Sequence, residues 1–479
     1  MKKKVLFVAS ECTPFVKTGG LADVIGSLPQ ALQHYTETDV RVILPLHQTI
    51  IANWEEQLEY VTSIDVSIGW RKQEAKLYQF CYKGIHYYFV GNDYYFARQD
   101  IYGYYDDGER YIFFCQAVSQ LLPQLAFQAD ILHAHDWQAG LALAFAKISS
   151  PQSSMKTVFT IHNIKYQGII PKDAYDDLFN LAPEHMGGLE WNGLLNCMKS
   201  GLFHADKITT VSPTYAAEIM TPYYGEGLYS LLAERQSDVV GIINGIDIDE
   251  YNPETDQHLI APYEAAGTAK QQNKLALQRK LGLPVNREKP LYAIVSRLVE
   301  QKGLYLVKEI LDEFLQEDVQ FVVLGSGDAQ FEQFFGQAAE RNKEKLAVFI
   351  GFDEGLARQV YAASDFFVMP SLFEPCGLAQ LIALQYKSAP IVRETGGLKD
   401  TVTPFNEHTG LGNGFSFTNY NAHDLLHTLK YALHTYYDTD QWSILMENIQ
   451  QSTFSWKESA DEYAKLYLSF GEALHTKKE

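Results

Sequence analysis

Short runs of β-branched and aliphatic residues recur along this chain, each followed by a stretch of helical periodicity, and that alternation restricts the fold more than any other feature. In the first half the runs are Val5–Ala9, Val40–Leu44, Ile131–Ala134, Thr157–Ile161 and Ile208–Val211. In the second they are Leu291–Val295, Phe321–Leu324, Ala347–Ile350, Phe366–Met369 and Pro390–Val392. Apolar strands spaced by helices predict parallel sheets covered on both faces. Asn244-Gly245-Ile246-Asp247 and Tyr251-Asn252-Pro253 interrupt the pattern, and a fresh helical run over 274–281 stops at Gly282 and Pro284. A domain boundary is expected there. A chain of 479 residues, 46% hydrophobic, is long enough for two cores. The expected organisation is α/β, with two doubly wound domains over 1–243 and 244–455 facing a central cleft. A capping box, Ser455-Trp456-Lys457-Glu458, opens a last helical segment over 456–479.

Two glycine-bearing segments, Lys17-Thr18-Gly19-Gly20-Leu21-Ala22-Asp23 and Glu374-Pro375-Cys376-Gly377-Leu378, stand between an apolar run and a helical pattern, one in each half. Ligands of open α/β sheets bind outside the carboxyl ends of the strands. In the first segment the glycines let backbone N–H groups approach a ligand, the helix start adds a positive dipole end, and Lys17 adds a full charge. That combination suits a diphosphate; a tight strand-to-helix connection with a solvated lysine is the plainer alternative. The G-x-G-x-x-G spacing is absent and Asp23 sits too close for a ribose carboxylate, which disfavours NAD. In the second segment Glu374 either caps a helix or, with the N–H groups that Pro375-Cys376-Gly377 exposes at Cys376 and Gly377 holding a ligand beside it, grips neutral hydroxyls. Thr395-Gly396-Gly397 repeats the device after the next strand.

Arg297 and Lys302 follow the run Leu291–Val295, where a planar fork and a point charge could hold a departing diphosphate. A solvated face is the alternative. Gly325-Ser326-Gly327-Asp328 offers further backbone donors or an ordinary turn. His133-Ala134-His135-Asp136-Trp137 and Ile161-His162-Asn163 also end strands. His133 and His135 alternate onto one side of a strand, but no Cys or carboxylate stands in register to complete a metal site. Satisfied structural histidines remain the other reading.

A formal net charge of -20 argues against nucleic acid or an anionic membrane as a partner. Five scattered cysteines with no C-x-x-C pair fit reduced thiols and a cytoplasmic setting. No apolar run approaches the roughly 18 residues of a membrane span.

Read in order, K-T-G-G-L-A-D-V, H-A-H-D-W, the H-N-x-x-Y-Q-G of His162 to Gly168, V-S-P-T-Y at Val211 to Tyr215, N-G-I-D, S-R-L…Q-K-G, E-P-C-G-L and T-G-G-L-x-D-T-V resemble the bacterial glycogen and starch synthase family. That family elongates α-1,4-glucan from ADP-glucose. The resemblance spans nearly the full chain; only about residues 255 to 285 and 420 to 450 add little to it. It implies the GT-B fold, two Rossmann-like domains with the last helix returning to the first. By motif match, Lys17, Gly20 and Asp23 lie near the donor, Arg297 and Lys302 on its diphosphate, and Glu374, Cys376, Gly377, Leu378 and Thr395 around the glucosyl unit and phosphate. His162, Asp136 and Asn244 face the sugar, and Phe352 after Gly351 takes the adenine-stacking position. Tyr94 and Tyr95 resemble part of an acceptor groove for glycogen or a maltooligosaccharide; a packed surface is the alternative. Many related glycosyltransferases carry a second glutamate eight residues after the first, and Ile382 stands there, as in the glycogen and starch synthase branch. Nothing resembles a pyridoxal-binding lysine site. The implied reaction is retaining glucosyl transfer with no metal and no cofactor. A catalytically inactive glucan-binding or regulatory protein on the same scaffold is the alternative, and intact Lys17, Arg297, Lys302 and Glu374 speak against it.

Overall fold

Seven parallel strands form the body of the first sheet, in the order Val239–Gly241, Lys207–Thr210, Lys156–Ile161, Ile131–His135, Lys3–Val8, Thr38–Pro45 and Ile85–Gly91. Two antiparallel strands, Arg71–Tyr82 and Glu59–Ile68, extend its last edge. The structure, a computed structural model, describes residues 2–470. The chain separates into two compact units: one runs to Ile242 and resumes at Trp456, the other is Ile243–Ser455.

In the first unit, Val5 and Phe7 pack on Val24, Ile25 and Leu28 of the helix Gly20–Tyr35, together with Trp456, Tyr463 and Tyr467. Leu6 and Val8, facing the other way, are equally buried. The helix Trp456–Ser469 begins directly after Ser455, where the capping box predicts a start, and packs along Gly20–Tyr35. Burying each large apolar side chain stabilises by roughly 1.5–3 kcal/mol, so this return helix is held mainly by its aromatic face. Residues 471–479 of the expected segment lie outside the described residues.

The second unit carries a six-stranded parallel sheet in the order Leu346–Ile350, Gln320–Gly325, Leu291–Val295, Phe366–Met369, Ala389–Arg393 and Phe415–Phe417. Its inner strands are buried on both faces, and the pleat alternation shows it. Tyr292, Ile294, Phe321, Val323, Phe366 and Val368 join one core cluster. Leu291, Ala293, Val322, Leu324, Phe367 and Met369 join the cluster on the opposite face. Period-two alternation between two apolar layers is what a continuous hydrophobic run produces in a parallel sheet.

All ten apolar runs read from the sequence are strands. The expectation of purely parallel sheets needs correction at the first sheet's edge. Glu59–Ile68 and Arg71–Tyr82 form an antiparallel hairpin whose residues are largely exposed or half-buried, and a half-solvated strand carries polar residues that dilute its signal.

Candidate functional site

Each sheet has one place where the strand order reverses, and there the crossovers diverge to leave a crevice at the carboxyl edge. In the first unit this lies between Lys3–Val8 and Ile131–His135; in the second it lies between Leu291–Val295 and Phe366–Met369. Most of the candidate residues cluster at these two reversals.

After Lys3–Val8 the chain takes a long excursion before the helix begins at Gly20, so the connection is not a tight turn. Glu11, buried, folds back onto it: one carboxylate oxygen accepts from the Thr18 N–H at 2.5 Å, the Thr18 hydroxyl at 2.9 Å and the Gly19 N–H at 3.3 Å. Burial pushes the Glu11 carboxyl upward against those three donors. The expectation that this loop's amides stand open to a phosphate is therefore corrected for Thr18 and Gly19. Lys17 pairs with Asp23 at 2.7 Å on a partly exposed surface, and a pair of that kind is worth about 0–1 kcal/mol. The lysine can exchange its partner at little cost. Glu11 escaped the sequence reading because only the fold turns it toward its own loop.

Asp136 ends the strand Ile131–His135 and adopts φ 58, ψ 178 at the start of the helix Trp137–Ser149. A non-glycine residue holds such a backbone only where its surroundings over-determine it. Here the side chain does so, accepting from the His162 N–H at 2.7 Å and weakly from the Asn163 N–H at 3.4 Å. Burial outweighs both bonds and raises the carboxyl to about 7, with Glu11 adding to the shift. Burial lowers the His162 imidazole to about 3 and holds His133 and His135 well below the ordinary range. His133 and His135 do share a face, stacked at 4.2 Å, but not as ligands. His133 bonds the Tyr467 hydroxyl at 2.8 Å and Thr160 at 2.6 Å, and His135 Nδ1 lies 3.0 Å from His162 Nε2. Among the described residues no group of three His, Cys, Asp or Glu is placed to hold a metal ion.

In the second unit Lys302 and Glu374 meet across the reversal point, Nζ to Oε2, at 2.7 Å. The Ser371 hydroxyl donates to the same oxygen at 3.1 Å. Glu374 Oε1 has no partner among the described residues. Glu374 is not a helix cap, because the helix Ala379–Gln385 starts after Leu378. Arg297 is exposed and forms no ion pair among the described residues. Two glycines let three loops converge on this pair. A Cβ on Gly303, at φ +70, would lie 1.8 Å from the Pro370 carbonyl oxygen, and one on Gly396, at φ +45, would lie 1.9 Å from that of Glu374. Neither position tolerates a side chain.

Thr395 is fully buried, and the Gly397 N–H donates to the carbonyls of Glu374 and Pro375. This segment braces the Glu374 loop through Gly397, whose N–H group is thereby occupied. Likewise Gly325-Ser326-Gly327-Asp328 pairs with the backbone around Leu298. The thiol of Cys376 is buried and pushed up to about 12, so its backbone rather than its sulfur can serve a ligand. Gly377 and Leu378 beside it are half-buried, and Ile382 is buried. Asn244 is buried with its Oδ1 unpartnered. Phe352 is 77% exposed, a free ring face beyond the strand Leu346–Ile350.

Adjacent tyrosines separate. Tyr94 is 59% exposed, whereas Tyr95 is buried against Phe113 and donates to Glu109 at 2.6 Å. Tyr95 cannot offer a ring face to a sugar, and its place in the acceptor groove is corrected to a packing role.

Comparison with known proteins follows the same division. Residues 4–234 match the starch synthase catalytic domain family, and residues 278–448 match glycosyl transferases group 1. The chain is 56% identical over 465 residues to glycogen synthase of Oceanobacillus iheyensis, covering 97% of this chain and 98% of that protein. It is 49% identical over 471 residues to glycogen synthase of Geobacillus thermodenitrificans, covering 97% of each. Among solved structures, the catalytic domain of starch synthase IV from Arabidopsis thaliana, bound to ADP and acarbose, is similar at a TM-score of 0.89 and 32% identity, over 98% of this chain and 99% of that one. Two Rossmann-like units with full-length similarity on this scale leave one conclusion: the fold is GT-B, and the chain belongs to the glycogen and starch synthase family of glycosyltransferases.

Proposed function

We propose that this chain transfers glucose from ADP-glucose to the non-reducing end of an α-1,4-glucan, with retention of the α configuration. The observation that carries the reading is the Lys302–Glu374 pair at the second sheet's reversal point, beside an Arg297 that has no ion pair among the described residues. Cleaving the bond from glucose C1 builds negative charge on the departing diphosphate and positive charge on the sugar ring. Arg297 and Lys302 meet the first, as Lys17 does once it exchanges Asp23 for phosphate. Glu374 orients sugar hydroxyls through its open oxygen and favours the developing cation, and the Asp136 carboxylate and the His162 backbone carbonyl serve the same cation. Preorganised charges of this kind are the largest single contribution in many enzymes. Asn244, Gly20, Gly377 and Leu378 complete the donor contacts, and Phe352 stacks on the base. On this reading the second unit is the donor side, the first unit with Tyr94 is the acceptor side, and glycogen or a maltooligosaccharide is the acceptor.

Similarity to a starch synthase solved with ADP and acarbose supports an adenine donor and a glucan acceptor. No helix among the described residues is long and apolar enough to cross a membrane, and the proposed setting is the cytoplasm. Transfer of radiolabelled glucose to glycogen, run with ADP-glucose and UDP-glucose side by side, tests the donor. Label should enter glycogen preferentially from the adenine nucleotide; preference for uridine would overturn the donor assignment.

A further inference from the structure

His135 is a buried group at the first site that the proposed chemistry leaves unused. Its Nδ1 lies 3.0 Å from His162 Nε2, and its Nε2 is buried with no hydrogen-bond partner. Phe7 packs tilted against the ring at 4.7 Å between centroids, and His133 stacks on it at 4.2 Å. His162 makes no other side-chain hydrogen bond among the described residues, and 9% of its surface stays open. We propose that His135 is a positioning residue that fixes the tautomer of His162, donating from Nδ1–H to His162 Nε2 so that His162 presents Nδ1–H at its open edge. This inference rests on the proposed role of His162 facing the glucosyl unit, and it names what that edge recognises: an oxygen acceptor, such as a sugar hydroxyl oxygen.

The tautomer follows from counting protons. Burial keeps both rings neutral, so each carries one N–H and a single proton lies between them. If His162 were the donor, His135 would carry its own proton on Nε2, where no acceptor exists. A buried orphan N–H is rarer than a buried orphan acceptor in native proteins. With His135 as donor, its Nε2 keeps only a bare lone pair, and the second proton of the pair sits on the exposed edge of His162. The adjacent relay is separate: His133 spans the Tyr467 hydroxyl and Thr160 and makes no hydrogen bond to His135.

Long-range proton–nitrogen spectra of the full chain labelled with 15N-histidine read the tautomer directly, with His162 signals identified by their loss in His162→Asn. The expected result is a protonated Nδ1 and a bare Nε2 on His162; the reverse pattern would overturn the proposal. A kinetic arm compares His135→Phe, which keeps the ring but removes the donor, with His135→Asn, which keeps an N–H near the Nδ1 position. His135→Phe should lower kcat on the order of a hundredfold with little change in ADP-glucose affinity, and His135→Asn should retain at least about ten times the kcat of His135→Phe. Equal kcat in the two variants would also overturn it. If the wild-type chain transfers no glucose, the proposed function fails while the spectra still decide the tautomer.

Discussion

Lys302 Nζ lies 2.7 Å from Glu374 Oε2, and both side chains are largely withdrawn from solvent. The lysine reaches back from the loop after Leu291–Val295; the glutamate stands in the loop after Phe366–Met369. Removing one member of such a pair leaves the other charge uncompensated. Glu374→Gln should therefore lower kcat on the order of a hundred- to a thousand-fold, because the amide cannot favour a developing cation. Donor affinity, measured by calorimetry, should fall by less than about tenfold. Full turnover in the variant, or a defect confined to donor binding, would move the centre toward Asp136 and His162.

Arg297 offers the opposite test, because it is exposed and forms no ion pair among the described residues. Arg297→Ala should leave thermal unfolding nearly unchanged, within about 0.5 kcal/mol. A charge-assisted hydrogen bond contributes about 1.5–3 kcal/mol, so ADP-glucose affinity should weaken roughly ten- to a hundredfold. A loss of stability without a loss of affinity would return Arg297 to an ordinary surface role.

The two tyrosines should part in the same way. Tyr95→Ala empties a buried aromatic site and should cost about 3–5 kcal/mol of stability. Tyr94→Ala should spare stability and raise the KM for a maltooligosaccharide while leaving donor affinity intact. Equal behaviour of the two variants in urea unfolding would contradict the burial difference.

What the sequence reveals here follows from how directly a pattern maps onto geometry. Runs such as Leu291–Val295 are legible because strands buried on both faces must be continuously apolar, whereas the hairpin Glu59–Tyr82 hides in polar alternation at an edge. Lys302 and Glu374 are legible as residues at strand ends, but their direct pairing is not, since 72 positions separate them. Glu11 and His135 act through side chains that turn toward other candidate residues, and neighbours in sequence such as Tyr94 and Tyr95 point to different environments because a short helix rotates them apart. The brace that Gly397 gives the Glu374 loop is hidden for a related reason: glycines admit a close-approaching backbone as readily as a ligand.

Titration of the first site has a definite sign. The Asp136 carboxyl rises to about 7 in the folded chain, against about 3.9 unfolded, so the folded state binds more protons between those values. Its contribution is fully present below about pH 4 and is lost as pH rises through 7. Buried His162, lowered to about 3, acts oppositely, and its contribution is lost as pH falls from about 6.5 toward 3. Asp136→Asn removes only the first effect. The variant should gain stability relative to wild type as pH rises from about 4 to 7, read as the difference in Tm across a pH series. A difference independent of pH would show that Asp136 titrates normally.

The central claim, glucosyl transfer to a glucan end, is tested most directly by mass spectrometry of maltoheptaose incubated with ADP-glucose and the purified full chain. The expected result is a ladder of products separated by single hexose units, with one ADP released per unit added. Unchanged maltoheptaose beside intact ADP-glucose, from protein that still binds glucan, would contradict the claim and leave the inactive glucan-binding reading in its place.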